Sequence, residues 1–277
     1  MFGKLLKNDM KAQYTTVSIL LIVTLCIAAA SELMIYTSDA NTPGGMLTRT
    51  LGGGLVFLAF VVAWIIMMVV VALLFNRSLF DYEGYLTLSL PVKTSSLVFS
   101  KMVSGLIWIS ATFALMMGSL VLWYHQLATA MGEEAVDTLE LLLGLVGAPS
   151  MDVIVFCVMM FFLSLALLVL FLVESMFFGI TLSHVSPLSK LGKFGAIVFT
   201  ILTIAILHKF IDVVADLLPL GMVVTEDSYI FTANIHDTAA KYAGSVSFNF
   251  VNYILTLLVG LGLNVPVIYL IKNKVNI

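Results

Sequence analysis

The chain has 277 residues, of which 61% are hydrophobic and 10% charged, against roughly 45–50% apolar and about 25% charged in an ordinary globular domain. With a mean hydropathy of +1.12, it lacks the polar residues that would cover a water-soluble fold of this length, and it reads as a membrane protein. A formal net charge of −3 supplies no global basic field, which argues against a nucleic-acid partner.

The opening residues, MFGKLLKNDMK, put Phe2, Leu5, Leu6 and Met10 on one side of a helix and Lys4, Lys7 and Lys11 on the other. Residues 1–14 are therefore expected to lie in the membrane surface as an interfacial helix. A signal peptide is the rival reading, with Ile19 to Ile27 as its apolar region and Ala28-Ala29-Ala30 as an A-x-A cleavage site.

Crossing about 30 Å of hydrocarbon takes about 20 apolar residues. Charge-free runs of that order lie at Gln13–Ser31, Leu51–Phe75, Met102–Tyr124, Val153–Val173 and Tyr242–Ile271. A sixth run, Phe194–Leu207, has 14 uncharged residues, about 21 Å of helix, so it is expected to extend through Lys190 and Lys193 with snorkelling side chains. The expected fold is all-α: one polytopic domain over residues 1–277 with six transmembrane helices. No loop approaches the ~100–200 residues of a typical domain, so whatever drives the protein is another chain.

Cys26 and Cys157 sit in apolar runs without a nearby His. Both read as small buried hydrophobes, with no disulfide framework or metal site between them.

The connection between spans two and three, residues 76–101, is apolar at its centre: Phe80-Asp81-Tyr82-Glu83-Gly84-Tyr85-Leu86-Thr87-Leu88-Ser89-Leu90-Pro91-Val92. Its acidic start favours a helix N-terminus, Gly84 allows a tight bend and Pro91 stops the element before Lys93. Two readings fit this segment: an element that docks a soluble protein, or a loop folded back on its own bundle.

Methionines recur in pairs, at Met67-Met68, Met116-Met117 and Met159-Met160. They suit either a compliant passage for ligands of variable apolar shape, or lipid-facing and gap-filling positions. Asp137–Val146, in the second outer loop, reads as a short interfacial helix. Glu174 is the one acidic residue deep in an apolar stretch. It is either a substrate-path or proton-sensitive group or, if span four ends near Phe171, a carboxylate snorkelling to the cytoplasmic interface.

Between spans five and six, residues 208–241 read as a half-inserted outer amphipathic hairpin. Asp212 and Asp216 share a helical face, Lys209 is placed to meet them, and Pro219-Leu220-Gly221 ends the helix. In span six, Asn249 and Asn252 lie i, i+3 on one face and could join helices or contact substrate, while Pro266, after Gly260 and Gly262, should kink the span.

Orientation follows from the basic residues. With the N-terminus inside, Lys4, Lys7, Lys11, Arg77, Lys93, Lys101, Lys190, Lys193, Lys272 and Lys274 are cytoplasmic, which is ten of the 13 Lys and Arg. The second outer loop carries Glu133, Glu134, Asp137 and Glu140 with no basic residue. Both termini are therefore expected in the cytoplasm.

No catalytic motif appears. Around Gly192-Lys193, the closest approach to a phosphate-binding loop, Pro187 replaces the first glycine and Phe194 the hydroxyl residue. The chain is not expected to be an enzyme.

Arg77, the run EGYLTLSLPV at Glu83–Val92, and Ser100-Lys101 leading into a span with Trp108 together resemble the ABC-2 type permeases of Gram-positive bacteria. The likeness is specific at Glu83–Val92 and otherwise one of topology. It implies a bacterial plasma-membrane exporter built from two permeases, identical or paralogous, and two cytoplasmic ATPase subunits that carry ATP and Mg. It also implies that Asp81, Glu83, Gly84, Tyr85, Leu86, Thr87, Leu88, Ser89, Leu90 and Pro91 form the coupling element that meets the ATPase, while this chain holds no cofactor. Amphipathic toxin or antimicrobial peptides are the expected cargo, with Glu174, Met67, Met68, Asn249 and Asn252 as candidate path residues. The alternatives are a lipid or small-drug exporter, and a non-transporting sensor or assembly subunit.

Overall fold

The computed structural model of the chain describes residues 2–37, 42–81, 84, 89, 92–131, 151–186, 188–225, 228–242 and 245–273. Five long helices come first: α1 Phe2–Thr37, α2 Pro43–Phe80, α3 Thr94–Met131, α4 Met151–Ser183 and α5 Gly192–Leu217, with a 3-10 turn at Leu188–Leu191 before α5. Then come β1 Gly221–Val224, β2 Tyr229–Thr232, α6 Ile235–Lys241, β3 Val246–Asn249, α7 Phe250–Gly262 and α8 Asn264–Asn273. Among the described residues six segments are long and apolar enough to cross a membrane, at Phe2–Thr37, Leu51–Phe80, Thr94–Ser119, Met159–Ser183, Phe194–Leu217 and Phe250–Asn273. The chain is a multi-pass membrane protein.

Large apolar side chains crowd the outside of these helices, among them Leu55, Leu58 and Ile65 on α2 and Ile197, Ile201 and Ile206 on α5. Their solvent is lipid, so exposure carries no hydrophobic penalty. The same reasoning corrects the expectation for Cys26, which is exposed on α1, because a small apolar residue in a span need not face protein.

The limits of every span differ from the sequence expectation, and in the last three the difference bears on the candidate residues. Span four continues to Ser183, past Phe171 and Glu174. Span five gains its length at the other end: α5 starts at Gly192, Lys190 stays in the 3-10 turn, and the helix runs through His208 and Asp216 to Leu217. Nothing breaks it before Pro219, which disfavours helix in its predecessor, Leu218. Span six starts at Phe250, eight residues after the expected Tyr242, because Val246–Asn249 is a strand.

Among the described residues the fold is overwhelmingly helical, as expected, with one small sheet in and just after the outer hairpin. Residues 208–217 of the hairpin belong to α5 and Ile235–Lys241 is helix α6, while β1 and β2, with β3 just past Lys241, form an antiparallel sheet of order β2-β1-β3, with Met222 opposite Phe231 on one side and Phe248 on the other. Gly221 is required there, since a Cβ would lie 3.0 Å from the Phe248 carbonyl carbon and 2.9 Å from Ile235 Cγ2. The alternation of strand side chains turns Met222, Val224 and Phe248 inward, onto Phe156, Cys157 and Met160 at the start of α4. Asn234 caps α6, its side chain accepting from the His236 and Asp237 amides. Among the described residues Asp212 and Asp216 lie 3.8 Å from the His208 and His236 rings, contacts that are ion pairs only when the imidazole is protonated, and they are not shown paired with the expected Lys209. The interfacial helix expected at Asp137–Val146, with the acidic residues around it, lies outside the described residues.

The chain divides into two units, Met1–Ser78 with Pro91–Thr138, and Leu79–Leu90 with Leu139–Ile277. In the first, α1 and α3 run parallel. Phe2 meets Phe99, Asp9 meets Lys101, Gln13 Nε2 donates to Ser104 Oγ at 3.1 Å and Tyr14 meets Trp108. Its apolar core gathers Val56, Phe60 and Trp64 from α2 with Phe113, Met116 and Met117 from α3. In the second, α4 and α5 form an antiparallel pair, close enough at Gly179 that a Cβ would stand 2.6 Å from the Thr200 amide nitrogen. Helix α7 approaches α4 through Gly260, whose missing Cβ would touch Leu170 and Phe171.

Candidate functional site

The coupling segment begins where α2 ends. Leu79 is fully buried, and the Gly84 amide donates to the Asp81 carbonyl oxygen at 2.7 Å. Gly84 is itself buried, and a Cβ there would lie 2.7 Å from the Leu79 carbonyl carbon. Only glycine lets the chain fold back that closely. Phe80 stacks on His184, with ring centroids 4.3 Å apart and planes 12° from parallel. His184 Nδ1 in turn lies 2.9 Å from the Ile180 carbonyl oxygen, so the ring is held at the end of α4. Asp81 and Ser89 are exposed. Glu83, Tyr85, Leu86, Thr87, Leu88, Leu90 and Pro91 lie outside the described residues.

Glu174 is the second centre. It is fully buried, as are Val173 and Ser175, with Phe171 and Phe177 one turn away on either side. Among the described residues neither carboxyl oxygen has a hydrogen-bond partner, and the Ser175 hydroxyl also lacks one. A side chain snorkelling to an interface would be exposed, so burial removes that reading. Nine residues of helix separate Glu174 from Ser183, about 14 Å. The Asn264 side chain lies beside the carboxyl group, and its Nδ2 donates to the Leu261 carbonyl oxygen at 3.3 Å. Asn264 opens α8 directly after Leu263, and Pro266 removes a backbone donor from the turn that follows.

Asn249 and Asn252 do not gather there. Asn249 caps α7, accepting from the Val251 and Asn252 amides, and donates from Nδ2 to the Ala215 carbonyl oxygen at 3.0 Å. The Asn252 carbonyl oxygen accepts from Thr256 Oγ1 at 2.8 Å. Both asparagines lie 12 to 15 residues before Asn264, about 18–22 Å along the span. Met67 is fully buried and Met68 half-buried, and both belong to the first unit.

Sequence reasoning passed over Asn264, His184, and the pair Asp9 and Lys101. A polar residue two positions before Pro266, inside an otherwise apolar run, was the available signal for Asn264. Pairings across 92 residues leave no such trace. Among the described residues no group of three His, Cys, Asp or Glu could hold a metal ion.

No family model, no curated protein and no solved structure matches this chain.

Proposed function

We propose that the chain is the transmembrane permease subunit of an ATP-driven ABC exporter in a bacterial plasma membrane, paired with a second permease and driven by cytoplasmic ATPase subunits that bind ATP and Mg. The observation that carries this reading is the join at the end of α2, where Gly84 packs on the Leu79 backbone and Phe80 stacks on His184. Phe80 and Gly84, held in this way, link the residues that follow α2 to the end of α4, so that a displacement at this point can be passed into α4. ATP chemistry stays on the partner, and this chain is not an enzyme.

In this reading both termini are cytoplasmic. The start of α1 extends beyond the hydrocarbon, since 36 residues span about 54 Å, and its exposed Lys4, Lys7 and Lys11 meet the inner headgroups. The cargo is an amphipathic peptide: the basic residues Arg77, Lys101, Lys209 and Lys272 lie toward the ends of their spans, and the middles offer Met and Phe in place of the fixed basic groups that a strongly anionic cargo would require.

Purification in mild detergent tests the assignment. A stoichiometric ATPase should accompany the chain, and in proteoliposomes its hydrolysis should rise with cationic amphipathic peptides. Stimulation by a defined lipid alone would make the complex a lipid exporter, and absence of any ATPase would favour a sensor or assembly subunit.

A further inference from the structure

We propose that the Glu174 carboxyl is a proton-binding site of the membrane interior, filled while α8 is packed on α4 and emptied when α8 moves away. This inference rests on the six spans and not on the transporter reading. A carboxylate needs hydrogen bonds or a counter-charge when it leaves water. Glu174 has no counter-charge among the described residues although it is fully buried, and its one polar neighbour, the Asn264 side chain, lies beside it without a hydrogen bond of normal geometry to either oxygen. Buried polar groups left unsatisfied in this way point to a missing ligand.

The surroundings select a proton over a metal ion. An alkali or alkaline-earth cation needs six or so oxygen ligands. Here one carboxyl stands among Phe171, Val173 and Phe177, with Asn264 beside it. A proton needs a single oxygen: the carboxylate takes it from water, an O–H bond forms, and the product is a neutral acid that the apolar packing tolerates.

Other titratable and charged groups do not supply the missing partner. Among the described side chains on the elements packed against α4 these are His208, Lys209, Asp212 and Asp216 on α5, Tyr253 on α7, Tyr269 and Lys272 on α8, and Lys190 in the 3-10 turn, with Cys157 on α4 itself and His184 at its end, and none bonds the Glu174 oxygens. The His208 ring lies 6.4 Å from that of Phe171.

Pro266 supplies the place for a movement. Leu263, between α7 and α8, keeps helical dihedrals and its amide donates to the Val259 carbonyl oxygen at 3.0 Å, while Pro266 has no N–H to give the ladder its next bond. The start of α8 is therefore one backbone hydrogen bond short while Val267 and Ile271 are buried. Loss of the proton leaves a charge that only water can solvate, and water reaches it when α8 lifts.

An apolar carbodiimide adds to a protonated carboxyl, with no leaving group, to give a stable N-acylurea, and it does not add to a carboxylate. In the full-length chain in lipid nanodiscs, the Glu174 peptide should carry the adduct by mass spectrometry, with a yield that follows the protonated fraction and falls by at least about tenfold between about pH 6 and about pH 9. A fluorophore at Val265, which is exposed, should report a wetter environment over the same range, in the wild type and in His208→Ala but not in Glu174→Gln. Failure of Glu174 to label at either pH, or protection by sodium ions at constant pH, overturns the proposal. So does a Val265 response that survives Glu174→Gln and is lost in His208→Ala. The labelling arm needs no variant, so misfolding of Glu174→Gln leaves it decisive.

Discussion

Asp9 on α1 and Lys101 on α3 form an ion pair at 2.9 Å, with side chains only 18% and 10% exposed, and the Ser100 hydroxyl donates to the other carboxyl oxygen of Asp9. The pair fixes how the two helices align, because Phe2 with Phe99 and Gln13 with Ser104 then meet in order along the same seam. Removing one partner strands a charge in a poorly hydrated place, whereas removing both leaves two apolar surfaces. Asp9→Leu or Lys101→Met alone should lower stability by about 2–3 kcal/mol, and the double variant should recover most of that loss. Thermal unfolding in detergent checks it, and a double variant as weak as the sum of the singles would show that no coupling exists.

The α4–α5 contact gives a sterically defined prediction. Thr200 cannot yield to a methyl group at Gly179, since its hydroxyl is tied to the Ala196 carbonyl oxygen at 2.8 Å and its backbone stands 2.6 Å from where the Cβ would sit. Gly179→Ala should cost about 1–3 kcal/mol. Gly118→Ala on α3, where a Cβ meets nothing within 4 Å, should be neutral or stabilising by up to about 1 kcal/mol. The two variants compared in one unfolding experiment separate close packing from glycine's general helix penalty.

Orientation is tested in intact cells. Asp237 on α6 and Lys93 before α3 are both exposed. With Cys26 and Cys157 replaced, a cysteine at Asp237 should react with a membrane-impermeant thiol reagent and one at Lys93 should not. Labelling at Lys93 in sealed cells would invert the topology.

The coupling proposal predicts a separation of folding from function. His184→Ala removes the ring stacked on Phe80 but touches no span interior, so the chain should fold and pair normally. Transport-coupled ATP hydrolysis should fall several-fold while the ATPase stays bound. Glu83→Lys, by contrast, should weaken attachment itself by reversing a contact charge. Equal, wild-type coupling in both variants would remove the segment from the mechanism.

The spans were legible because an uncharged run of about 20 residues has few alternatives to a membrane helix. Their ends were not. The rule that charge ends a span failed at His208, where the His208 and Asp212 pairing keeps polar groups on a continuing helix. It failed at Glu174 for the opposite reason, because this carboxyl is enclosed by protein. The sheet was hidden because each strand is four residues long, too short for alternation to stand out from an apolar background. Cross-strand pairing such as Met222 with Phe248 is a long-range property that local patterns do not encode. For the candidate site, the acid at Glu174 was visible as a chemical oddity in an apolar run, while its neighbour Asn264 depended on how α8 meets α4.

Asn249 makes two separable contributions, and three substitutions distinguish them. Its side-chain oxygen accepts from the Val251 and Asn252 amides at 3.0 and 3.3 Å, satisfying donors that the first turn of α7 leaves free. Its Nδ2 donates to the Ala215 carbonyl oxygen at 3.0 Å, near the last turn of α5, where carbonyls lack helical partners. Asn249→Ala loses both and should destabilise by about 2 kcal/mol, one for the cap and one for the bridge. Asn249→Ser keeps a cap but is too short to bridge, so it should lose about 1 kcal/mol. Asn249→Asp keeps the cap and gains a favourable charge at the α7 N-terminus, yet it sets a carboxylate against the Ala215 carbonyl and so should fall below Asn249→Ser. If all three unfold at the wild-type temperature, the start of the last span is held by the sheet alone. If Asn249→Asp proves the most stable of the three, the cap outweighs the bridge and α5 is not anchored through this residue.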